Sequence, residues 1–215
     1  MWAAKKYGAY AKESDEAYHN AMEIYNLLSG ELGWTLNAVC GVLGNLGRES
    51  GYNPWRWEGD KPLASTDTTA IASKRQGYGF VQFTPSGKYI NNAIGYDGYG
   101  PNFSDKVGSI YDGRAQFLYI NGNADYIMKP AYPLTYAEFK VSTESPYYLA
   151  GAWLYNYERP KNPAASVNAR GETAEWWWNK LGGGVIPPRP PGGSTPMTKT
   201  RGVWRYYVRR RMILK

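Results

Sequence analysis

Between Thr35 and Gly51 runs LNAVCGVLGNLGRES, an apolar segment with glycine at every third position: Gly41, Gly44 and Gly47. Leu36, Val39, Cys40, Leu43 and Leu46 recur at helical spacing. Each glycine costs an isolated helix about 1 kcal/mol relative to alanine. A helix that carries three at one spacing needs a compensating gain, and close backbone packing against a neighbouring element supplies it. Thr35 is placed to cap the helix, and Trp34 and Val39 have the spacing of a hydrophobic staple. Gly51 and Pro54 end it.

Other segments read the same way. Ser14-Asp15-Glu16 starts a helix through Ala17, Ala21, Ile24, Tyr25 and Leu28, with Gly30 as the stop. Ser104 is placed to cap a helix through Val107, Ile110, Tyr111 and Leu118. Ser145-Pro146 reads as a cap followed by proline at the first helical position, opening a helix that must end before Pro160. A last helix carries Ala174, Trp177, Trp178 and Leu181 and stops at the glycines that follow. Residues 52–88 read mostly as loop, with a strand or hairpin around Ile71 and at Gly79-Phe80-Val81-Gln82-Phe83. The expected fold class is mainly α, or α+β with helices dominant. The expected organisation is one domain over 1–181, a Gly/Pro-rich linker over 182–198 and a basic tail over 199–215.

Charge narrows the function classes. The 215-residue chain has a formal net charge of +7, but residues 182–215 hold eight of its 25 basic residues and none of its 18 acidic ones. The body is left with 17 basic and 18 acidic residues. A neutral body argues against nucleic-acid binding there. One cysteine and one histidine exclude a disulfide framework, a thiolate zinc cluster and a multi-histidine metal site. No metal-ligand spacing or phosphate loop appears, so no cofactor is expected. No apolar run approaches the roughly 20 residues of a membrane span, and Met1-Trp2-Ala3-Ala4-Lys5-Lys6 lacks a following apolar stretch, so neither a span nor a signal peptide is expected. Nine Trp, 20 Tyr and five Phe give the chain many rings, which can fill a core or stack on sugars.

Glu49 is the strongest candidate for chemistry. It lies at the C-terminal end of the glycine helix, three residues beyond Leu46, near the face to be buried. Burial and the negative end of the helix dipole both disfavour a charged carboxylate. A carboxyl kept protonated near neutral pH is what a general acid for glycosidic cleavage requires. Helix position alone fits an ordinary helix-end glutamate as well.

The surrounding motifs carry a resemblance. Gly33-Trp34-Thr35, AVCGVLGNLGRESGYNP (38–54), GYGFVQFTPSGKYIN (77–91), NYERPKNP (156–163) and the Ala174-Glu175-Trp176 helix with the glycine run after it stand in order and at specific spacing. Over roughly residues 15–184 the chain resembles the phage tail lysozymes of the lysozyme-like superfamily. The resemblance implies a lysozyme-like fold with a small β/loop region and a muramidase that cleaves the β-1,4 bond between N-acetylmuramic acid and N-acetylglucosamine in peptidoglycan. It matches Glu49 to the catalytic acid and Gln82 to an amide lining the sugar cleft. Asn156 and Tyr157 resemble an aromatic element near that acid, with Tyr155 beside them. Tyr78 and Trp55 are rings for the cleft wall or for the core. Glu158-Arg159-Pro160 reads as a helix stop with a structural ion pair.

For a second catalytic group, Asp60 and Asp67 in the loop after Glu49 are the candidates to hold water, with Glu58 nearby. If neither serves, the substrate's N-acetyl group attacks, the outcome of a lytic transglycosylase. The expected setting is a virion: the domain opens the host wall during phage entry, and residues 199–215 attach it to other tail proteins or to wall polymers. The alternative is an inactive structural or glycan-binding tail component.

Overall fold

The computed structural model describes residues 2–5, 8–60, 76–90, 113–123 and 125–182. Seven α-helices appear among them: α1 (Asp15–Tyr25), α2 (Leu36–Glu49), α3 (Gly87–Ile90), α4 (Gly113–Asn123), α5 (Tyr136–Lys140), α6 (Pro146–Trp153) and α7 (Val167–Lys180). The fold is mainly α, as the helical periodicities imply. No helix of the described residues is long and apolar enough to cross a membrane.

The glycine helix is the axis of the structure. α2 packs on both α6 and α7, which also pack on each other. Every residue from Ala38 to Leu46 is buried. A Cβ built on Gly41 would stand 2.8 Å from the Leu149 Cβ of α6, and one on Gly44 would stand 2.5 Å from the Arg170 carbonyl oxygen of α7. The first two glycines are thus the sites of closest helix approach. The third makes room for a side chain: a Cβ on Gly47 would stand 2.8 Å from the Tyr52 hydroxyl. That hydroxyl is buried and accepts a hydrogen bond from the Trp177 indole at 2.8 Å. Trp153, Trp177, Tyr52, Tyr78 and Tyr89 are among the largest fully buried side chains, so much of the aromatic content is core.

The caps fall where the sequence puts them. Ser14 accepts from the Ala17 N–H, Thr35 from Ala38 and Ser145 from Tyr148. Gly30 does not stop the first helix. The chain widens into a π-turn over Asn26–Glu31, and Gly30 sits inside it. Of the helix expected from Ser104, the part around Leu118 is α4, and the rest lies outside the described residues. The strand or hairpin expected at residues 79–83 is a tight turn closed by one antiparallel pair, Tyr78↔Phe83, with a second isolated bridge Trp57↔Tyr78 beside it. Buried Gln116 of α4 ties that turn down, accepting from the Phe80 N–H at 2.8 Å and donating to the Pro54 carbonyl at 2.8 Å. The side chain thus satisfies the Phe80 N–H at the tip of the turn. The stretch around Ile71 and residues 183–215, with nearly all of the Gly/Pro segment and the whole basic tail, lie outside the described residues.

Candidate functional site

Glu49 opens on a cleft of about 420 Å³ walled by the end of α2, the 81–84 turn, Tyr119 of α4 and residues 157–159. Its side chain is 20% exposed, and its Oε1 accepts from Arg170 Nη2 at 2.6 Å. Arg170 comes from α7, where its side chain is 6% exposed. Its Nη1 donates to Asn45 Oδ1 at 2.8 Å, and the Asn45 amide donates to the carbonyls of Gly41 and Ala150. One chain of polar contacts therefore runs from α6 through α2 to α7 and ends on the Glu49 carboxylate. The close approach that Gly44 allows is what brings Arg170 within reach. The sequence pointed to apolar burial around Glu49, and the structure puts a guanidinium there.

The carboxyl with a raised proton affinity is at Glu158, half-buried on the cleft wall. α6 does not continue as an α-helix after Trp153. It widens into a π-turn over Leu154–Glu158 that ends on Arg159 in the left-handed region at φ 49°. Single π-turns of this kind re-aim side chains and often mark functional sites. Here the turn brings both Tyr157 and Glu158 to the cleft. Glu158 Oε1 accepts from the Trp153 indole at 2.9 Å. Burial pushes its carboxyl well above the usual glutamate range, and the nearby Glu49 charge pushes it further. The Trp153 N–H and the Arg170 and Arg159 charges act the other way and do not offset these. Tyr157 stacks on Trp153 with ring centroids 4.2 Å apart, and burial followed by the Glu158 charge raises its phenol.

Gln82 also lines the cleft. It sits at φ 49°, and its amide nitrogen donates to the Gly79 and Arg56 carbonyls at 2.9 and 3.2 Å. The same side chain braces the turn and faces the cleft. Val81, Phe83 and Tyr119 supply an apolar and aromatic stretch of wall, with Phe83 edge-on to Tyr119 at 5.7 Å.

The other expected residues are placed elsewhere. Asp60 does not line the cleft; it accepts from Arg56 at 3.2 Å and from the Gly8 N–H at 3.1 Å. Asp67 lies outside the described residues. Glu58 does reach the cleft, with Oε2 accepting from the Gly77 N–H at 2.9 Å. Tyr78 is fully buried against Trp57 and Tyr89, so of its two possible roles the structure gives it the core. Trp55 packs against the core and is not among the cleft walls. Asn156 is fully buried, and its amide is committed to the Tyr126 hydroxyl, the Tyr132 carbonyl and the Lys129 N–H. It holds the scaffold behind Tyr157 instead of meeting the cleft. The ion pair expected near Glu158 belongs to Arg159 and Asp125, at 2.8 Å.

Glu158, Arg170, Phe83 and Tyr119 are among the cleft-region residues that the sequence did not single out for the site. The Glu-Arg-Pro run was visible, but nothing in it announced a π-turn. What the arrangement can do chemically is hold a polymer along a wall of rings and the Gln82 amide, beside carboxyls of unlike surroundings that include Glu49, Glu58 and Glu158.

Residues 19–181 match the family model described as phage tail lysozyme. Morphogenesis protein 1 of Bacillus phage B103 is 34% identical over 161 residues, which span 73% of this chain and 38% of that protein. The matched stretch is thus well under half of the relative's length. The family match takes in α2 with Glu49, the 78–83 turn with Gln82, the π-turn with Glu158 and α7 with Arg170, and a match over that whole assembly means that the chain belongs to the phage tail lysozyme family.

Proposed function

We propose that this domain is a virion-associated peptidoglycan muramidase, with Glu49 giving the proton to the glycosidic oxygen. The observation that carries the reading is the cleft itself: Glu49 on its wall, partly open to solvent, with Gln82, Tyr157, Phe83 and Tyr119 around it. Rings and amides suit the apolar faces and N-acetyl groups of an amino-sugar polymer. In the hydrolytic form, the C1–O4 bond breaks as the leaving oxygen takes the proton. Water then adds its hydroxyl to C1, and its proton returns to the carboxyl. If the C6 hydroxyl of muramic acid closes on C1 instead, the product is a 1,6-anhydro end and the same proton balance holds. Mass analysis of released fragments separates the two.

In this reading the enzyme opens the wall locally during phage entry, and residues 199–215 attach it to other tail components. Glu49→Gln keeps the size of the side chain and an acceptor for Arg170 but has no proton to give. It is expected to lower the rate of turbidity loss of purified cell walls by about a hundredfold or more. Equal rates for wild type and variant would remove Glu49 from the mechanism. Retained wall binding with no cleavage by the wild type would favour a glycan-binding tail component.

A further inference from the structure

Residues 2–5 and 8–10 form an arm that precedes the family match, which begins at residue 19, yet side chains within the match are committed to it. Asn20 of α1 is fully buried. Its oxygen accepts from the Ala3 N–H at 2.9 Å, and its amide donates to the Ala3 and Tyr52 carbonyls at 2.8 Å each. Asn53, also fully buried, accepts from the Lys5 N–H at 3.3 Å and donates to the Lys5 and Gly8 carbonyls at 2.8 and 2.9 Å. The Tyr10 N–H donates to the Gly51 carbonyl at 2.7 Å. A segment that is neither helix nor strand thus has its backbone groups satisfied by the domain it crosses. Two points of the arm reach the turn that carries Gln82. The Trp2 ring lies edge-on to Phe80 of that turn, with centroids 5.6 Å apart. Gly113 leaves the room for this contact: a Cβ there would stand 2.5 Å from the Phe80 ring and 2.6 Å from the Trp2 ring. Further along, the Gly8 N–H donates to Asp60 Oδ1 at 3.1 Å, and Arg56 Nε donates to the same oxygen at 3.2 Å. The Arg56 carbonyl in turn accepts from the Gly79 N–H at 2.9 Å and from the Gln82 amide at 3.2 Å.

We propose that this arm is a strap that holds the Gln82 turn in place, with Trp2 and Asp60 as positioning residues for substrate binding. The inference rests on the glycosidase reading given above for the role of Gln82, and adds to it what fixes that amide. Gln82 sits at φ 49°, a conformation that a residue with a side chain keeps only when its surroundings over-determine it. Arg56 joins the two sides: its side chain meets the arm through Asp60, and its carbonyl holds the turn. A displacement at Gly8 therefore reaches Gln82 through two residues. Neither Trp2 nor Asp60 lines the cleft, so both act on substrate through Gln82.

The test uses full-length Trp2→Ala and Asp60→Asn, alone and combined with Gln82→Ala, at a temperature where each chain is folded by circular dichroism. Asparagine keeps an oxygen for the Gly8 N–H and tolerates the φ of 51° at this position, but it gives up the charge that orients Arg56. On solubilised glycan strands each arm variant is expected to raise KM about fivefold or more with kcat within roughly twofold. In the Gln82→Ala background the same changes are expected to move KM by less than about twofold, because the side chain they position is gone. Wild-type KM in both arm variants overturns the proposal. So do effects that multiply with that of Gln82→Ala, which mark a role in stability alone. Hydrogen exchange on the wild-type chain needs no variant: the Ala3, Lys5, Gly8 and Tyr10 amides should open at the same rate as those of Gly79, Gln82 and Phe83. Arm amides that exchange about tenfold or more faster than those of the turn also overturn it. A wild-type chain that cleaves no glycan refutes the glycosidase reading, while the exchange rates still decide the strap.

Discussion

Glu158 binds a proton in the folded chain over a pH range in which an unfolded glutamate has released it, because burial and the Glu49 charge raise its carboxyl. The sign of the consequence follows from linkage. A raised folded-state value means that stability from this group is fully present below the unfolded value, about 4.3, and is lost as pH rises through the raised one. Melting temperature measured across that window should therefore fall more steeply with pH for wild type than for Glu158→Gln. Parallel slopes would show that Glu158 ionises alike in both states. Glu49 and Glu158 also differ in how legible they are in the sequence. Glu49 is visible from its helix end and its motif. Glu158 is not, because its surroundings come from α2, α7 and a Trp five residues back, joined by a turn whose width no local pattern encodes.

At the scale of elements, the spacing of three glycines in α2 is a statement about packing, and the packing distances give it content. At Gly44 a new Cβ would stand 2.5 Å from the Arg170 carbonyl and 2.8 Å from the Ala174 Cβ, neither of which can swing away. Gly44→Ala is expected to destabilise by about 1–3 kcal/mol through overpacking. It should also lower activity, since it pushes Arg170 from Glu49. Gly30, inside the first π-turn, has nothing within 4 Å of its would-be Cβ. Gly30→Ala is expected to stabilise by about 0.4–1 kcal/mol, chiefly by restricting the unfolded chain. Urea midpoints of the two variants check both; a Gly44→Ala midpoint at or above wild type would mean that α7 can retreat from α2 at little cost. The helix caps at Ser14, Thr35 and Ser145 are readable because a cap is a local hydrogen bond within three residues. The 79–83 segment closes on itself through the Tyr78–Phe83 pair and does not extend into strands, and the Phe80 N–H at its tip goes to Gln116, 36 residues further on in sequence.

The whole molecule divides by charge. Residues 1–181 are close to neutral, and the excess of basic residues lies after them. The family match ends at residue 181, α7 ends at Lys180, and the described residues that line the cleft all precede the basic segment. A chain ending at residue 182 is expected to cleave cell walls at the wild-type rate and to lose association with tail particles that lack this protein. Unchanged co-sedimentation with such particles would rule out the attachment role of residues 199–215.

Local patterns were sufficient for the mainly helical fold class, most helix starts and the placing of Glu49 at a helix end, because periodicity, capping and helix stops act over a few residues. The motifs in their order carried the family. Only the tertiary structure decided which carboxyl is ion-paired and which has its proton affinity raised. A side chain's charge state depends on what distant elements bring against it: Arg170 reaches Glu49 from 121 residues away, and Glu158 feels the charges of Glu49 and Arg170 from separate segments of the chain. Sequence spacing within α2 prepared the close approach, and packing alone assigned the partners.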